Sequence, residues 1–202
     1  MDRDDWNRRY ETTELLWTAE PNQFLVAEVS ALTPGSALDL AAGEGRNAVW
    51  LARRGWWVTA VDFSDVALAK AEQLASAAQV DVTAVCADVT DYAAPPGAFD
   101  LVVVLYLHLP AAQRRPVHRR AARALVPAGT LLVVGHDTAN LTQGYGGPQD
   151  PEVLFSPDDV VADLAGTGLM VEKAVSLSRK VTTPGGERVA IDALVRARRP
   201  TR

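Results

Sequence analysis

In the stretch Asp39-Leu40-Ala41-Ala42-Gly43-Glu44-Gly45-Arg46-Asn47-Ala48, an acid stands four residues ahead of a glycine pair, where an apolar run ends and a helical pattern begins. Glycines in such a loop let the backbone approach a ligand with no Cβ in the way. The unpaired N–H groups of the helix that follows attract a carboxylate or a phosphate. Two more acids close the next two apolar runs, Asp62 in Val61-Asp62-Phe63-Ser64 and Asp88 in Cys86-Ala87-Asp88-Val89. Carboxylates gathered at one sheet edge can accept hydrogen bonds from an ammonium group, a ribose diol and an adenine amine. His108 and His136 end two later apolar runs, and an imidazole titrating near neutrality can take a proton from a reacting group.

The glycine loop by itself allows more than one chemistry. Gly43, Gly45 and Ala48 also satisfy the dinucleotide fingerprint, with Asp62 about where its ribose-binding acid falls, so a nicotinamide-dependent oxidoreductase is an alternative. Asp39 argues against it, because a carboxylate there repels a nearby pyrophosphate and suits an ammonium or a sulfonium. An ammonium, a diol and an adenine amine are the polar groups of S-adenosylmethionine. A non-catalytic module that binds this compound or its product and regulates a partner is a further alternative.

Plainer roles compete for the same residues. Asp62 could cap the following helix, although Ser64 already serves there, and Asp88 could be a turn residue beside Thr90 and Asp91. Asp100 precedes an apolar run at the opposite edge and reads as structural. His108 could touch backbone at a helix start. With His136 it could face a metal, but no third ligand supports the pair, and no metal is expected. His118, among Arg114, Arg115, Arg119 and Arg120, reads as a solvated helix face, and Cys86 as a core residue. Trp6 and Trp17 lie in a polar leader with no obvious core partner, and Trp17 is expected to fold over cofactor or acceptor. Arg179 and Arg188 could bind an anionic acceptor or lie on the surface.

Elements that hold these residues alternate along the chain. Apolar runs at 36–41, 57–61, 81–86, 99–105 and 130–135 are separated by helical patterns, the signature of βαβ units and a parallel sheet. Val49, Trp50 and Ala52 are expected to face the sheet from the first helix, and Leu68, Ala71, Leu74 and Ala75 from the second. A third helix spans about 111–126, between Pro110 and Pro127. Residues 136–156 show no regular period and are rich in Gly, Pro, Asn, Gln and Asp, as expected of a substrate loop. A short helix at 157–165 capped by Ser156 leads to strands near 169–178 and 189–197. Thr182-Thr183-Pro184-Gly185-Gly186 joins them as a hairpin, so the sheet should end in an antiparallel pair. Residues 1–32 form an N-terminal cap segment with a helix around Phe24, Leu25, Ala27, Val29 and Leu32.

The 202 residues suit a single domain, 1–202, and 48% hydrophobic against 22% charged residues supports a buried core. A net charge of −5 argues against a nucleic-acid partner, and the longest hydrophobic run, the seven residues 101–107, is far below the ~20 a membrane helix needs. Acids and arginines through the first twenty residues leave no secretory core, and one cysteine suits a reducing compartment. A cytoplasmic protein is expected.

Five motifs in order, Asp39-x-Ala41-x-Gly43-x-Gly45, Val61-Asp62-Phe63-Ser64, Ala87-Asp88-Val89, Phe99-Asp100-Leu101-Val102-Val103 and Leu125-Val126-Pro127-Ala128-Gly129-Thr130, resemble those of the class I S-adenosylmethionine-dependent methyltransferases. The leader Trp6-Asn7-Arg8-Arg9-Tyr10 and Trp17-Thr18-Ala19-Glu20-Pro21-Asn22 is similar to a bacterial branch that includes tellurite-resistance and thiopurine-type methyltransferases. Ala41-Ala42 departs from the Gly-Cys or Gly-Ser of many relatives. The resemblance implies an α/β, Rossmann-like, seven-stranded sheet of order 3-2-1-4-5-7-6 with strand seven antiparallel and helices on both faces. It implies methyl transfer from S-adenosyl-L-methionine to a small-molecule acceptor, leaving S-adenosyl-L-homocysteine. Gly43 and Gly45 would pass under the methionine part, Asp39 would hold its amino group and Asp62 both ribose hydroxyls. Phe63 would pack near the adenosine, Asp88 and the Val89 N–H would bind adenine, and Tyr106 and Leu107 would lie near the methyl.

Overall fold

The computed structural model describes residues 2–11, 15–16 and 18–201; the expected contact of Trp17 with cofactor or acceptor falls outside them. In chain order the elements are α1 (Arg3–Tyr10), α2 (Gln23–Val29), β1 (Ser36–Leu40), α3 (Arg46–Arg53), β2 (Trp57–Asp62), α4 (Asp65–Ala77), β3 (Val82–Cys86), β4 (Phe99–Leu105), α5 (Ala111–Ala124), β5 (Leu125–His136), α6 (Asn140–Gln143), α7 (Pro157–Asp163), β6 (Met170–Thr183) and β7 (Gly186–Arg198). The strands form one sheet of order β3-β2-β1-β4-β5-β7-β6, parallel except for β7, which runs antiparallel to both neighbours.

Strand β4 shows why the centre of this sheet reads as an unbroken apolar run. Val102 and Val104 point into one hydrophobic cluster with Val117, Ala121, Phe155 and Val160, while Leu101, Val103 and Leu105 point into a second with Leu25, Val29, Ala48 and Leu51. Period-two alternation therefore buries every position when helices cover both faces. From α3 the buried apolar residues are Ala48, Val49 and Leu51, with Trp50 and Ala52 only half-buried beside them. Trp56 is buried, whereas Trp57 is 78% exposed on the first turn of β2.

Several boundaries move. Helix α5 stops at Ala124, and β5 begins there because Leu125 already pairs with Phe99 before a register shift to Leu101 and Thr130. The 136–156 segment holds α6 and a 3-10 turn, Pro151–Val153, rather than irregular chain alone. The terminal hairpin is longer than expected. Strand β5 pairs with β7 only from Thr130 to His136, opposite Arg198 to Asp192, while β6 and β7 stay paired to Thr183 and Gly186. The tip of that hairpin projects beyond the sheet as a two-stranded ribbon, with Asp192 at its base.

Two expectations about single residues fail. His118 is buried, not solvated: its Nδ1 lies 3.1 Å from Asp163 Oδ2, which also accepts from Arg114 Nε at 2.7 Å. The charged stripe of α5 is thus the seam to α7. Burial pushes the Asp163 carboxyl up, but the hydrogen bonds from His118 and Arg114 outweigh it and hold the group at about 2. Cys86 is exposed at the end of edge strand β3, its Sγ 3.6 Å from the Phe63 carbonyl oxygen. No helix among the described residues is long and apolar enough to cross a membrane.

Candidate functional site

At the C-terminal ends of the central strands, where the ligand crevice of an open α/β sheet falls, lies the turn from β1 to α3, in which Ala41, Gly43 and Gly45 all take left-handed φ values of 61°, 54° and 79°. At Gly45 glycine is also required by space, since a Cβ would lie 2.5 Å from that of Ala71 on α4. Helix α1 reaches over this turn. Asp65 on α4 accepts from Arg3 at 3.1 Å and Asn7 at 2.9 Å, and the hydroxyl of buried Tyr10 comes within 3.1 Å of where a Gly43 Cβ would sit.

Asp62 fastens the turn to β2. One carboxylate oxygen accepts from the Gly43 N–H at 2.8 Å and the other from the Ser64 N–H at 2.9 Å. Burial pushes its pKa up, and the Ser64, Gly43 and Phe63 N–H groups oppose the shift. Asp39 is different. It is 1% exposed, its Oδ2 has no hydrogen-bond partner, and its pKa rises to about 7, because burial and then the neighbouring Asp62 charge outweigh the attraction of Arg46. Asp88 is exposed, and its Oδ1 accepts from both the N–H and the hydroxyl of Thr90 at 2.7 Å, the turn geometry weighed against a ligand role. The N–H of the next residue, Val89, donates to nothing among the described residues. Phe63 and Leu107 are both half-buried.

Tyr106, just past β4, has φ 57° and a buried hydroxyl without a partner. Such strain in a non-glycine residue gathers at functional sites. Burial, followed by the charge of Asp192, pushes its phenol pKa up. Beside it, the rings of His108 and His136 stack with centroids 5.3 Å apart. His108 Nε2 accepts the backbone N–H of His136 at 3.1 Å, so the lone pair that would take a proton is already engaged. Burial, helped by His136, lowers its pKa to about 4. His136 Nδ1 lies 3.1 Å from Asp192 Oδ1, off the line of a hydrogen bond, and Asp192 Oδ2 accepts from Arg179 Nε at 2.7 Å. Burial pushes the Asp192 carboxyl up, yet His136 and Arg179 hold it below the usual carboxylate range. The loop after α6 closes over His136, since a Cβ on Gly147 would fall 2.6 Å from the imidazole.

Sequence reasoning missed Asp192. Its one signal is an acid at the inward position shared by Ala190 and Leu194 on β7, all three at most 1% exposed.

Residues 37–129 match the model of a methyltransferase domain family. A demethylmenaquinone methyltransferase of Mycolicibacterium vanbaalenii is 32% identical over 135 residues, 65% of this chain. The chain spans 57% of that relative's length. Among solved structures, the N-methyltransferase NodS of Bradyrhizobium japonicum, in complex with S-adenosyl-L-homocysteine, superposes with TM-score 0.73 at 17% identity over 98% of both chains. TehB of Haemophilus influenzae does so with TM-score 0.73 at 17% identity, over 98% of this chain and 66% of its own. The chain thus shares the fold of these solved structures and carries a methyltransferase-domain match over residues 37–129.

Proposed function

We propose that the chain transfers a methyl group from S-adenosylmethionine to a small-molecule acceptor and releases S-adenosylhomocysteine. The observation that carries this reading is the buried Asp39 carboxylate, whose open Oδ2 beside the left-handed turn fits the ammonium of the methionine part and would repel a pyrophosphate. When bound, the cofactor supplies a methyl on an already positive sulfur.

The residues here bind, orient and exclude water. Ala41, Gly43 and Gly45 bring backbone close to the methionine part. Asp62 offers its remaining lone pairs to the ribose diol, with Phe63 against the adenosine. Asp88 takes the adenine amine and the free N–H of Val89 a ring nitrogen. Tyr106 and Leu107 flank the transfer path, where alignment of the acceptor supplies much of the acceleration. If the acceptor atom is oxygen or nitrogen, His136, beside Asp192, takes its proton; His108 holds the end of β5 in place instead. Acceptor contacts are left to residues 1–32, the loop after β5 and the end of β4, a small share of the chain that suits a small acceptor.

Calorimetric titration with S-adenosylmethionine, S-adenosylhomocysteine and NAD tests the reading, followed by a panel of thiols, phenols, amines and oxyanions assayed for S-adenosylhomocysteine release. Saturable binding of the first two and turnover with one class are expected. No saturable heat with S-adenosylmethionine overturns the proposal, and binding without turnover across the panel favours a regulatory module.

A further inference from the structure

Asp192 is wholly buried on β7, and its two carboxylate oxygens face different partners. Oδ2 accepts from Arg179 Nε at 2.7 Å, while Oδ1 lies 3.1 Å from His136 Nδ1. Those two facing atoms, Oδ1 and Nδ1, are buried and have no other partner. A small turn of the imidazole brings them into line, the tightening that such pairs undergo when a substrate binds. The carboxylate then fixes a proton on Nδ1 and leaves the lone pair on Nε2. Unlike Nδ1, Nε2 is open to solvent and makes no hydrogen bond among the described residues. Register sets its distance from the glycine turn. Leu40 of β1 pairs with Val104 of β4, and Leu105 of β4 with Val134 of β5, so Tyr106 follows on level with the turn and His136 stands one strand further across. The Tyr106 and His136 rings lie 5.1 Å apart, centre to centre. Neighbouring strands are about 4.8 Å apart, so two strands leave about 10 Å, room for the methyl of a cofactor seated on the turn and for an acceptor atom beside it.

Resting on the methyl-transfer reading, we infer that Asp192 is a positioning residue that aims His136 Nε2 at the hydroxyl of a small, uncharged phenol, which is the methyl acceptor. The groups around His136 balance in charge. Arg179 matches Asp192 one for one, and burial keeps the Tyr106 phenol and the His108 imidazole uncharged. A carboxylate acceptor is repelled by Asp192, and an alkyl ammonium brings a charge with nothing left to pair it and no lone pair to methylate. A thiol, ionising at about 8.5, needs no such dyad. A phenol at about 10 is within reach of an imidazole at about 6.5, whereas an alkyl alcohol, like water at about 16, is not. As the phenol oxygen bonds to the methyl carbon, the carbon–sulfur bond breaks and its electron pair stays on sulfur. The hydroxyl proton passes to His136 Nε2, and the imidazolium, held by the Asp192 carboxylate, later releases it to solvent.

The test measures S-adenosylhomocysteine release from S-adenosylmethionine with phenol, catechol and 1-naphthol, and with thiophenol, cyclohexanol, benzylamine and benzoate beside them. At least one of the three phenols should turn over and exceed every other acceptor. Asp192→Asn turns an amide N–H toward Nδ1 and so imposes the wrong tautomer. It and His136→Gln should each lower kcat for that phenol by about a hundredfold or more, while the KM for the phenol and the affinity for S-adenosylhomocysteine stay within about threefold. Arg179→Gln, which only loosens Asp192, should lose less than either. Should Asp192→Asn show no melting transition, the kcat and KM of His136→Gln and Arg179→Gln decide the matter in its place. A KM or an S-adenosylhomocysteine affinity that worsens as much as kcat in folded variants makes the pair structural and overturns the proposal. If S-adenosylhomocysteine binds and no phenol turns over, or thiophenol or benzylamine does so in their place, the acceptor class is wrong and the methyl-transfer reading stands. Failure of S-adenosylhomocysteine to bind the unaltered protein overturns both.

Discussion

The backbone N–H of His136 donates to Nε2 of His108 at 3.1 Å, and this one bond divides the labour of two histidines that look equivalent in the sequence. His108 becomes a brace, with a pKa near 4, while His136 keeps its imidazole beside Asp192. With a hydroxyl or amine acceptor, His136→Gln should lower kcat by about a hundredfold or more, the usual range for a proton-transfer group. His108→Gln retains a carbonyl that can accept the same N–H, so it should keep most of that rate. His108→Ala should instead destabilise the fold by about 1–3 kcal/mol by leaving that N–H unpaired. A kcat lost in His108→Gln and kept in His136→Gln would reverse the assignment.

Burial of Asp39 makes stability depend on pH in a calculable direction. Its native pKa of about 7 stands above the ordinary value of about 3.9, so between those values the native state holds a proton that the unfolded chain has lost. The contribution of this group is therefore complete below about pH 4 and declines as pH rises through 7. His108, lowered to about 4, acts oppositely and favours the fold as pH rises from 4 towards 6.5. Difference profiles against the unaltered protein separate them. In urea unfolding, Asp39→Asn should gain on the parent from about pH 4 to about pH 7 and then level off, reaching a few kcal/mol at about 1.4 kcal/mol per unit. The same variant should bind S-adenosylmethionine more weakly at pH 8. A difference profile flat with pH would mean that Asp39 is ionised in the apoprotein throughout.

The strands, the glycine turn and the acids at the strand ends are legible in the sequence, because each depends on neighbours along the chain: apolar runs, caps and turn residues; the order of the strands follows from the family resemblance instead. What is hidden depends on partners far away. Asp163 meets Arg114 and His118 across separations of 49 and 45 residues, and without it the cations of α5 read as a surface. Asp192 looks like a stray acid in a late strand until β7 is laid against β5, where it pairs with His136 in register. Pro127 reads as a stop, yet β5 begins at Leu125 because tertiary pairing with Phe99 overrides the local signal.

Ala41 departs from the glycine of many relatives, and the backbone shows what that departure entails. Its φ of 61° lies in the left-handed region, which disfavours an L-residue by about 1–2 kcal/mol. Glycine there loses more backbone entropy on folding, a penalty of about 0.5–1 kcal/mol. Ala41→Gly should therefore stabilise the protein slightly, by about 0.5–1 kcal/mol in urea unfolding, with S-adenosylmethionine affinity unchanged or improved. A loss of stability would mean that the Ala41 methyl, packed against the apolar cluster beneath the turn, outweighs the strain.

Gly147 tests whether the loop after α6 serves the chemistry or only the fold. Its φ is 78°, and an added Cβ would fall within 2.6–2.8 Å of three atoms of the His136 ring, so Gly147→Ala must move either the loop or the imidazole. The loop is the softer of the two. Gly147 and the residue before it are exposed, whereas the His136 ring is held among Tyr106, His108 and Asp192. Local displacement of an exposed loop leaves the core intact, so the melting temperature should fall by no more than a few degrees, in keeping with a change of about 1 kcal/mol. Binding of S-adenosylhomocysteine should be unchanged if, as proposed, it rests on the glycine turn and the acids at the strand ends. Turnover should drop by about tenfold or more, because a small misplacement of the groups that align an acceptor is felt directly in the rate. Unfolding of the variant at ambient temperature would make the loop a structural strap, and full turnover would exclude it from the acceptor side altogether.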